Sequence, residues 1–352
     1  MSTVVALDIG SSSLAGAEVK DGRALVKAAV EPLPEGVVVD GEVTDPAALA
    51  THIRRFWREA KFSGRSVRLG VANQRVVVRT VDIPALDDAA EQRATIEAAA
   101  FEQIPISPDQ AILDYQSVDL LEGEDGPRMR VVVVAAHREM VDALIGAVRR
   151  AGLRPSGIDL EAFALIRAFL PAVDDPEYTG TAQVVCHIGA SMTNIVVAVD
   201  RVSQFTRLVG LGGVDLTNAV ADQTGLPAPE AEALKSACGL LGELPEGADQ
   251  PTVSRVRHAL ALAVRPLVQE IGRTIDFYRS QEFARPIDRL VLSGGTALCA
   301  GLDRYVQQAL GIPVVVGDPL QNLARSADLG HDVASRAAVA VGLALDAPED
   351  HR

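Results

Sequence analysis

Two similar turns in this sequence carry side chains suited to binding phosphate. The first turn, DIGSSS, lies directly after a short apolar strand and contains Asp8, Gly10, Ser11, Ser12 and Ser13. Its glycine lets the backbone approach a ligand closely, and its N–H groups and hydroxyls are donors for phosphate oxygens. A carboxylate at the end of the strand can hold a hydrated divalent cation. The sequence therefore predicts a phosphate loop with a cation beside Asp8.

The second turn, HIGASMT, repeats this pattern in the other half of the chain. It begins at His187 and contributes Gly189, Ser191 and Thr193. Two such turns on opposite walls can hold a polyphosphate from both sides.

A third turn, LSGGT, follows a buried strand and precedes a helix, and it supplies Ser293, Gly294, Gly295 and Thr296. This geometry lets a nucleoside lie against the backbone. One such turn alone is often only a tight turn, but three in order, each after a strand, favour a ligand site. Neither the Walker pattern GxxxxGKS/T nor the dinucleotide pattern GxGxxG occurs.

The strands around the first two turns indicate an internal duplication. Each copy reads strand, turn, strand, polar reversal and strand, with the reversals at Asp21-Gly22 and at Asp200-Arg201. Aligning Asp8 with His187 gives an offset close to half the chain length. A repeat on this scale predicts two related α/β lobes.

The remaining patterns place further elements between and after the copies. They predict helices over residues 87–103, 138–151 and 333–345, strands over 111–118 and 129–136, a mostly helical stretch over 215–281, and loops at 122–126 and 242–251. Gly152 is expected to end the second of these helices.

Composition excludes several kinds of partner. Hydrophobic residues make up 48% of the 352 residues but aromatic residues only 4%, so Val, Leu, Ile and Ala fill the predicted core. The net charge of −14 repels nucleic acid and anionic lipid. The chain shows neither a signal peptide nor an apolar run long enough to span a membrane, which predicts a cytoplasmic protein without direct membrane insertion. Three separate cysteines, at positions 186, 238 and 299, are expected to be reduced core residues.

Nearly the whole chain resembles the superfamily of actin and sugar kinases. The matching stretches are DIGSSS, HIGASMT, LSGGTALCAGL and the connecting helix that begins IDLEAFAL. Within that superfamily the sequence is similar to the PilM family of type IV pilus assembly proteins, through FEQIPIS with LDYQSV, FTRLVGLGGVDLTNAVA with AEALK, and IDFYRSQ.

This resemblance implies an actin-like (ribonuclease H-like) duplicated α/β fold with two lobes and a small inserted domain of the FtsA type. The implied boundaries are 1–84 for the first lobe, 85–154 for the small domain, 155–176 for the connecting helix, 177–214 for the second lobe, 215–285 for a helical insertion, 286–330 for the adenosine-loop part of the second lobe, and 331–352 for a closing helix and tail.

The resemblance also implies the roles of individual residues toward ATP and Mg²⁺. Asp8 would lie near Mg²⁺ and hold it through water, and Glu161 would orient the attacking water. The phosphates would be cradled by Ser11, Ser12 and Ser13 and approached from the second lobe by Gly212 and Gly213. Ribose and adenine would meet Glu232 and Lys235, and the adenosine side would be closed by Gly294, Gly295 and Thr296.

The residues alone leave other interpretations open. Glu232 and Lys235 could form an ordinary i,i+3 surface ion pair. Glu161 could be a solvated carboxylate in the first turn of a helix, where it favours the helix dipole.

The second phosphate loop departs from the family pattern, because relatives usually begin it with Asp and this chain has His187. A neutral imidazole cannot replace a carboxylate around a hard cation. A protonated imidazole could still neutralise phosphate charge, whereas an imidazole bonded to a backbone carbonyl would be structural. In either state the sequence predicts slow or absent turnover of ATP, and thus a weak ATPase at most.

By resemblance, the function is that of a nucleotide-binding scaffold in the inner-membrane platform of a type IV pilus or a related secretion system. The implied partner is a PilN-like membrane protein, whose cytoplasmic N-terminal tail would occupy a groove beside the small domain and recruit the chain to the inner face of the membrane. Further platform proteins are also implied as partners.

Two other functions stay open. One is an FtsA-like cell-division protein, although that protein carries a basic amphipathic C-terminal helix and this chain ends in the acidic GLALDAPEDHR. The other is a small-molecule kinase of the sugar-kinase type, which would need a catalytic aspartate.

Overall fold

The computed structural model describes residues 2–123, 126–170, 180–242, 247, 249–321, 323–325 and 329–345. Its strands are β1 (Thr3–Ile9), β2 (Ser13–Lys20), β3 (Ala24–Pro32), β4 (Val38–Val39), β5 (Glu42–Val43), β6 (Ser66–Val71), β7 (Val76–Pro84), β8 (Ala111–Gly123), β9 (Gly126–His137), β10 (Arg154–Leu160), β11 (Ala182–Ile188), β12 (Thr193–Val199), β13 (Val202–Val209), β14 (Ile287–Ser293), β15 (Val314–Val316) and β16 (Ala324–Arg325). Its helices are α1 (Pro46–Ala60), α2 (Ala89–Gln103), α3 (Arg138–Arg150), α4 (Glu161–Phe169), α5 (Gly213–Thr224), α6 (Ala228–Cys238), α7 (Gln250–Arg279), α8 (Leu302–Leu310), α9 (His331–Arg336) and α10 (Ala338–Ala344).

Two mixed sheets share one strand order and form the two lobes. The first runs β10-β6-β1-β2-β3-β16, and the second, read in the same direction, runs β15-β14-β11-β12-β13. In each sheet the first strand of the copy pairs antiparallel with the next strand and parallel with a later one: β1 with β2 and β6, β11 with β12 and β14. The predicted duplicated α/β fold is therefore confirmed.

The central strand of each sheet is buried on both faces. Val5 and Leu7 of β1 point into a core with α1 and α3, whereas Ala6 points into a second core that also contains residues of α4 and α10. In β11, Val184 faces the helices of its own lobe and Val185 faces that same second core. Since successive side chains in a strand alternate between faces, one shared core lies between the two sheets.

Helices α4 and α10 fill this shared core. All residues of α10 are buried. A Cβ atom on Gly342 would lie 2.0 Å from the carbonyl oxygen of Ala164, so glycine is what allows the two helices to touch. Arg68 donates to the carbonyls of Leu343 and Leu345 at 2.8 and 2.9 Å, and Arg167 donates to that of Gly342 at 2.9 Å. These cations satisfy carbonyls at the C-terminal end of α10, where they also favour the helix dipole.

A separate sheet of order β7-β9-β8 carries α2 on one face. Strand β7 pairs with β9 along its whole length, from Val76 to Pro84. Helix α3 instead packs against α1 and supplies Leu144 and Val148 to the first-lobe core. The pairing thus assigns β7 to the small sheet and α3 to the first lobe, whereas the predicted limits of 85–154 placed them the other way round.

Several predicted elements differ in detail. The closing helix predicted over 333–345 is two helices, α9 and α10, separated at Ala337. The segment 155–176 contains strand β10 as well as helix α4, and its residues 171–176 lie outside the described residues. Parts of the predicted loops at 122–126 and 242–251, and the tail from 346, also lie outside them, while α7 already begins at Gln250 behind its N-cap Asp249.

Further observations concern membrane-spanning helices, metal sites and cysteines. Within the described ranges, no helix combines the length and apolarity needed to cross a bilayer, and no cluster of three His, Cys, Asp or Glu side chains is placed to hold a metal. The three cysteines are buried and not disulfide-bonded, as predicted.

Replacing Gly342 with Ala is expected to destabilise the protein by about 2–4 kcal/mol, because the added methyl forces α4 and α10 apart in a fully packed core. The measurement is the free energy of unfolding in urea. The matched control is Gly146→Ala in α3, where a Cβ meets nothing within 4 Å and a gain of up to about 1 kcal/mol is expected from helix propensity. Equal stability of the two variants would contradict the role given to Gly342.

Candidate functional site

A cavity of about 590 Å³ lies between the two lobes and receives residues from both. It is lined by Asp8, Gly10, Ser11, Ser12, Ser13, His187, Gly189, Ala190, Gly213, Val214, Glu232, Lys235, Ser236, Gly295, Thr296, Leu298, Cys299, Asp332 and Arg336. A smaller cavity of about 80 Å³ continues from one end of it and adds Glu161, Ser191 and Asn194. Most of the residues singled out in the sequence are thus gathered in one cleft.

The two predicted phosphate loops have the same backbone geometry. The N–H of Gly10 donates to the carbonyl of Ser13 at 3.0 Å, and the N–H of Gly189 donates to that of Met192 at 2.9 Å. The loops face each other, since Ser191 Oγ donates to Ser11 Oγ at 2.9 Å across the cleft. This arrangement presents hydroxyl groups from both lobes at one point, as an anion with several oxygens requires.

Two carboxyl groups lie at the end of the cleft that holds the smaller cavity. Asp8 ends the central strand of the first lobe, and Glu161 begins α4. Burial raises the pKa of Asp8 to about 7, against the opposing hydrogen bond from the backbone of Ile9. Burial, and then the negative charge of Asp8, raise the pKa of Glu161 well above its usual range. Glu161 is thus a partly enclosed carboxyl that lines the small cavity, at the start of a helix as the residues alone also allowed.

His187 is neutral in this environment. Burial lowers the pKa of its imidazole to about 4, and its Nδ1 lies 3.1 Å from Oγ of Ser293. Without a bound anion, burial favours the neutral one of the two states considered for this residue. Its hydrogen-bond partner is a serine hydroxyl and not a backbone carbonyl. A neutral imidazole at this position adds no positive charge to the phosphate loop.

Glu232 and Lys235 form an ion pair in the wall of the cleft. Lys235 Nζ lies 2.6 Å from Glu232 Oε2 and also donates to the carbonyl of Gly213 at 3.1 Å and to Thr217 Oγ1 at 3.0 Å. Because an ammonium group has three donors, all of those of Lys235 are used within the protein. Its side chain is 6% exposed and that of Glu232 is 48% exposed, so Glu232 is the member of the pair with room for a ligand.

The same contacts set the charge of Glu232. Burial alone would raise the pKa of this carboxyl, but hydrogen bonds from Lys235 and Thr217 lower it. The carboxylate is therefore an acceptor for ligand hydroxyl groups. The pair predicted from the i,i+3 spacing exists, although it is built into the cleft wall and is not an ordinary surface pair.

Four of the predicted residues do not line the cleft and instead determine its shape. One is Ser293, the partner of His187, and the others are Gly212, Gly294 and Thr193. A Cβ on Gly212 would lie 2.5 Å from the carbonyl oxygen of Ala190, and one on Gly294, whose φ is +88°, would lie 2.4 Å from that of Ile188. Thr193 is fully buried and donates to the carbonyl of Leu211 at 2.7 Å. Gly213, Gly295 and Thr296 do line the cleft, as predicted from the sequence.

Helix α9 contributes two cleft residues that the sequence did not reveal. Arg336 donates through Nε to Asp332 at 2.9 Å, and both side chains line the cavity. The i,i+4 spacing of this pair marks a helix face but gives no sign that the face meets the cleft. Ser236, one residue after Lys235, was missed for the same reason.

Asp8→Asn and His187→Asn are expected to change stability with opposite pH dependence, because Asn imitates the neutral form of each side chain. Between about pH 4 and 7 the folded protein holds a proton on Asp8 that the unfolded chain has lost, so this group's contribution to stability falls as the pH rises over that range. At His187 the unfolded chain binds the extra proton, so stability rises between about pH 4 and 6.5.

The free energy of unfolding of Asp8→Asn, relative to that of the wild type, should therefore increase from pH 5.5 to 8. His187→Asn should be more stable than the wild type at pH 5.5, and this difference should disappear by pH 8. The expected differences are about 1–3 kcal/mol, since one pKa unit corresponds to about 1.4 kcal/mol. Urea unfolding without nucleotide or divalent cation measures them. Parallel pH profiles for both variants and the wild type would show that neither group is perturbed.

Comparison with known proteins gives one family and a consistent fold. The family described as "Type IV pilus assembly protein PilM" matches residues 6–347. The cell division protein FtsA of Pseudomonas aeruginosa is 28% identical over 354 aligned positions, which cover 90% of this chain and 83% of FtsA.

Solved structures agree with this result. A PilM–PilN type IV pilus biogenesis complex contains a chain that is 28% identical, with a TM-score of 0.83 and coverage of 97% of each chain. The ethanolamine utilization protein EutJ of Carboxydothermus hydrogenoformans shares the fold at 16% identity and a TM-score of 0.59, over 98% of this chain and 90% of EutJ.

Proposed function

The chain belongs to the PilM family of type IV pilus assembly proteins, and we propose that it is a cytoplasmic, actin-like nucleotide-binding scaffold in the inner-membrane platform of a type IV pilus or a related secretion system. The observation that carries the proposal is the pair of equivalent loops that face each other across the cleft, joined by the bond between Ser11 and Ser191. The net charge of −14 opposes binding of nucleic acid.

The residues of the cleft fit ATP with Mg²⁺. Backbone N–H groups and hydroxyls of the loops at Gly10 and Gly189 would hold the phosphates, while Glu232 and Thr296 would meet the nucleoside at the far end. Asp8 would hold the cation through water, after losing the proton that its raised pKa retains. When bound, Mg²⁺ supplies the positive charge that offsets the phosphates.

Hydrolysis in this cleft is proposed to be slow or absent. A base at Glu161 would have to be ionised to accept a proton from water, yet burial and then the neighbouring Asp8 raise the pKa of this carboxyl and disfavour its ionised form. Neutral His187 stands where relatives hold a second carboxylate, and it offers no anionic oxygen to a hard cation. The protein therefore binds nucleotide as a structural ligand that sets the closure of the lobes.

A second groove, of about 260 Å³, suits the tail of a PilN-like membrane protein. Its walls are successive residues of β7 and β13, with the turn at residues 71–74 between them. Both strands are the edges of their sheets, so their free backbone groups can pair with an added strand. The similarity to a chain of the PilM–PilN type IV pilus biogenesis complex supports this partner. Binding of the tail would recruit the chain to the membrane.

An FtsA-like role is the second candidate, because FtsA of Pseudomonas aeruginosa aligns over most of its length. Such a protein would assemble into filaments at a membrane. Nucleotide-dependent sedimentation of the chain with lipid vesicles, together with no binding of a PilN-like tail, would favour this second function.

Ser11→Asp is expected to weaken binding of Mg²⁺-ATP at least tenfold. The new carboxylate would stand among the phosphates, and like charges about 4 Å apart cost on the order of 4 kcal/mol at an effective dielectric constant of 20. Isothermal titration calorimetry measures the affinity. Ser117→Asp on the exposed side of β8 adds the same charge outside the cleft and should bind as the wild type does. Unchanged affinity in Ser11→Asp would place the phosphates elsewhere.

Thr206→Trp is expected to abolish binding of a PilN-like tail peptide while leaving ATP binding intact, because the indole fills the groove beside β13. Fluorescence anisotropy with a labelled peptide measures this. The control Thr80→Trp adds the same ring on the exposed part of β7, outside the groove lining. Loss of binding in the control alone would move the partner site along β7, from the groove toward Thr80.

A further inference from the structure

The second groove, between β7 and β13, is called the partner groove below. A single layer of residues separates it from the small cavity at the end of the cleft. Ala72, Asn194 and Leu208 line both cavities. One side of this wall looks onto β7 and β13, and the other looks onto Asp8 and Glu161. A ligand in either cavity would therefore touch the same three residues.

Asn194 is the polar residue of this wall. It is 7% exposed, and its side chain forms no hydrogen bond within the described part of the chain. Its position in β12 is opposite His187 on one side and Leu208 on the other. Since the amide is open to the cavities that it lines, its donors and its acceptor are available to a ligand.

The backbone around the wall is held in place. A Cβ on Gly41 would lie 2.3 Å from the carbonyl oxygen of Ala72, so the β4–β5 turn is packed directly on it. Asn73 Nδ2 also donates to the carbonyl of Asp40 at 2.6 Å. The backbone at Ala72 is therefore held by the first lobe, and β12, which carries Asn194, is paired on both sides with β11 and β13. The part of the wall that can respond to a ligand is the Asn194 amide.

We propose that Asn194 couples the two cavities, so that a partner segment in the groove and the terminal phosphate of a nucleoside triphosphate bind cooperatively. This inference rests on the proposed function. The amide has donors at its nitrogen and an acceptor at its oxygen. The nitrogen donates to a phosphate oxygen in the small cavity, and the oxygen accepts an N–H from the extended segment in the groove. Each ligand fixes the orientation that the other requires, and the coupling is reciprocal.

Calorimetric titrations of the full chain test the coupling. Mg²⁺-ATP and Mg²⁺-ADP are each titrated with and without a saturating synthetic peptide of the PilN-like cytoplasmic tail. The peptide is expected to tighten ATP binding about fivefold, within the usual range of coupling between sites. It should change ADP binding by less than about twofold, because ADP lacks the phosphate that reaches the small cavity.

Asn194→Ala is expected to bind both ligands with a coupling ratio near one. Ser191→Ala, which alters the small cavity alone, and Thr206→Ala, which alters the groove alone, should each weaken one ligand but keep the ratio. Asn194→Asp preserves the shape and the acceptor without the donor, so it should retain the peptide and lose the gain for ATP. Thermal unfolding checks that all four variants are folded.

The outcomes separate the two proposals. If the wild type binds both ligands independently, or if Asn194→Ala retains the ratio, the coupling is overturned and the proposed function stands. If the wild type binds neither ATP nor the tail peptide, the proposed function itself fails.

Discussion

The contact between α4 and α10 is the constraint on which the rest of the structure depends. The two helices lie in the core shared by both sheets, and they can meet only because Gly342 has no side chain against the carbonyl of Ala164. Arg68 and Arg167 satisfy the carbonyls at the end of α10 from within the first lobe. Helix α10 is thereby fixed to the sheet of the first lobe, so the two lobes share one packed core below the cleft.

The shared core also determines the positions of residues at both ends of the cleft. Helix α4 begins with Glu161 and sets it beside Asp8, whereas α9, immediately before α10, carries Arg336 to the opposite part of the cavity wall. A shift of either helix would move groups at one end of the cleft relative to the phosphate loops. The geometry of the cleft therefore depends on the packing of the shared core.

The electrostatics of the cleft fit the proposed role, in which a nucleotide is bound and hydrolysed slowly or not at all. The two loops offer neutral donors, the carboxyls of Asp8 and Glu161 tend to retain their protons, and His187 is uncharged. Lys235 uses its hydrogen bonds within the protein, where it holds Glu232 and the carbonyl of Gly213 at the start of α5 in place.

The sequence by itself determined the repeated strand-turn-strand units, the two-lobed α/β fold and most of the cleft, because glycine turns after apolar strands are local patterns. It could not decide that Thr193, Gly212 and Gly294 shape the cleft from behind, since a turn residue and a ligand residue look alike until their neighbours are known. It also gave no sign of Arg336, which reaches the cleft from the far end of the chain. The protonation of Asp8 and His187, and the shared wall at Asn194, depend on burial, and burial is a property of the packed lobes alone.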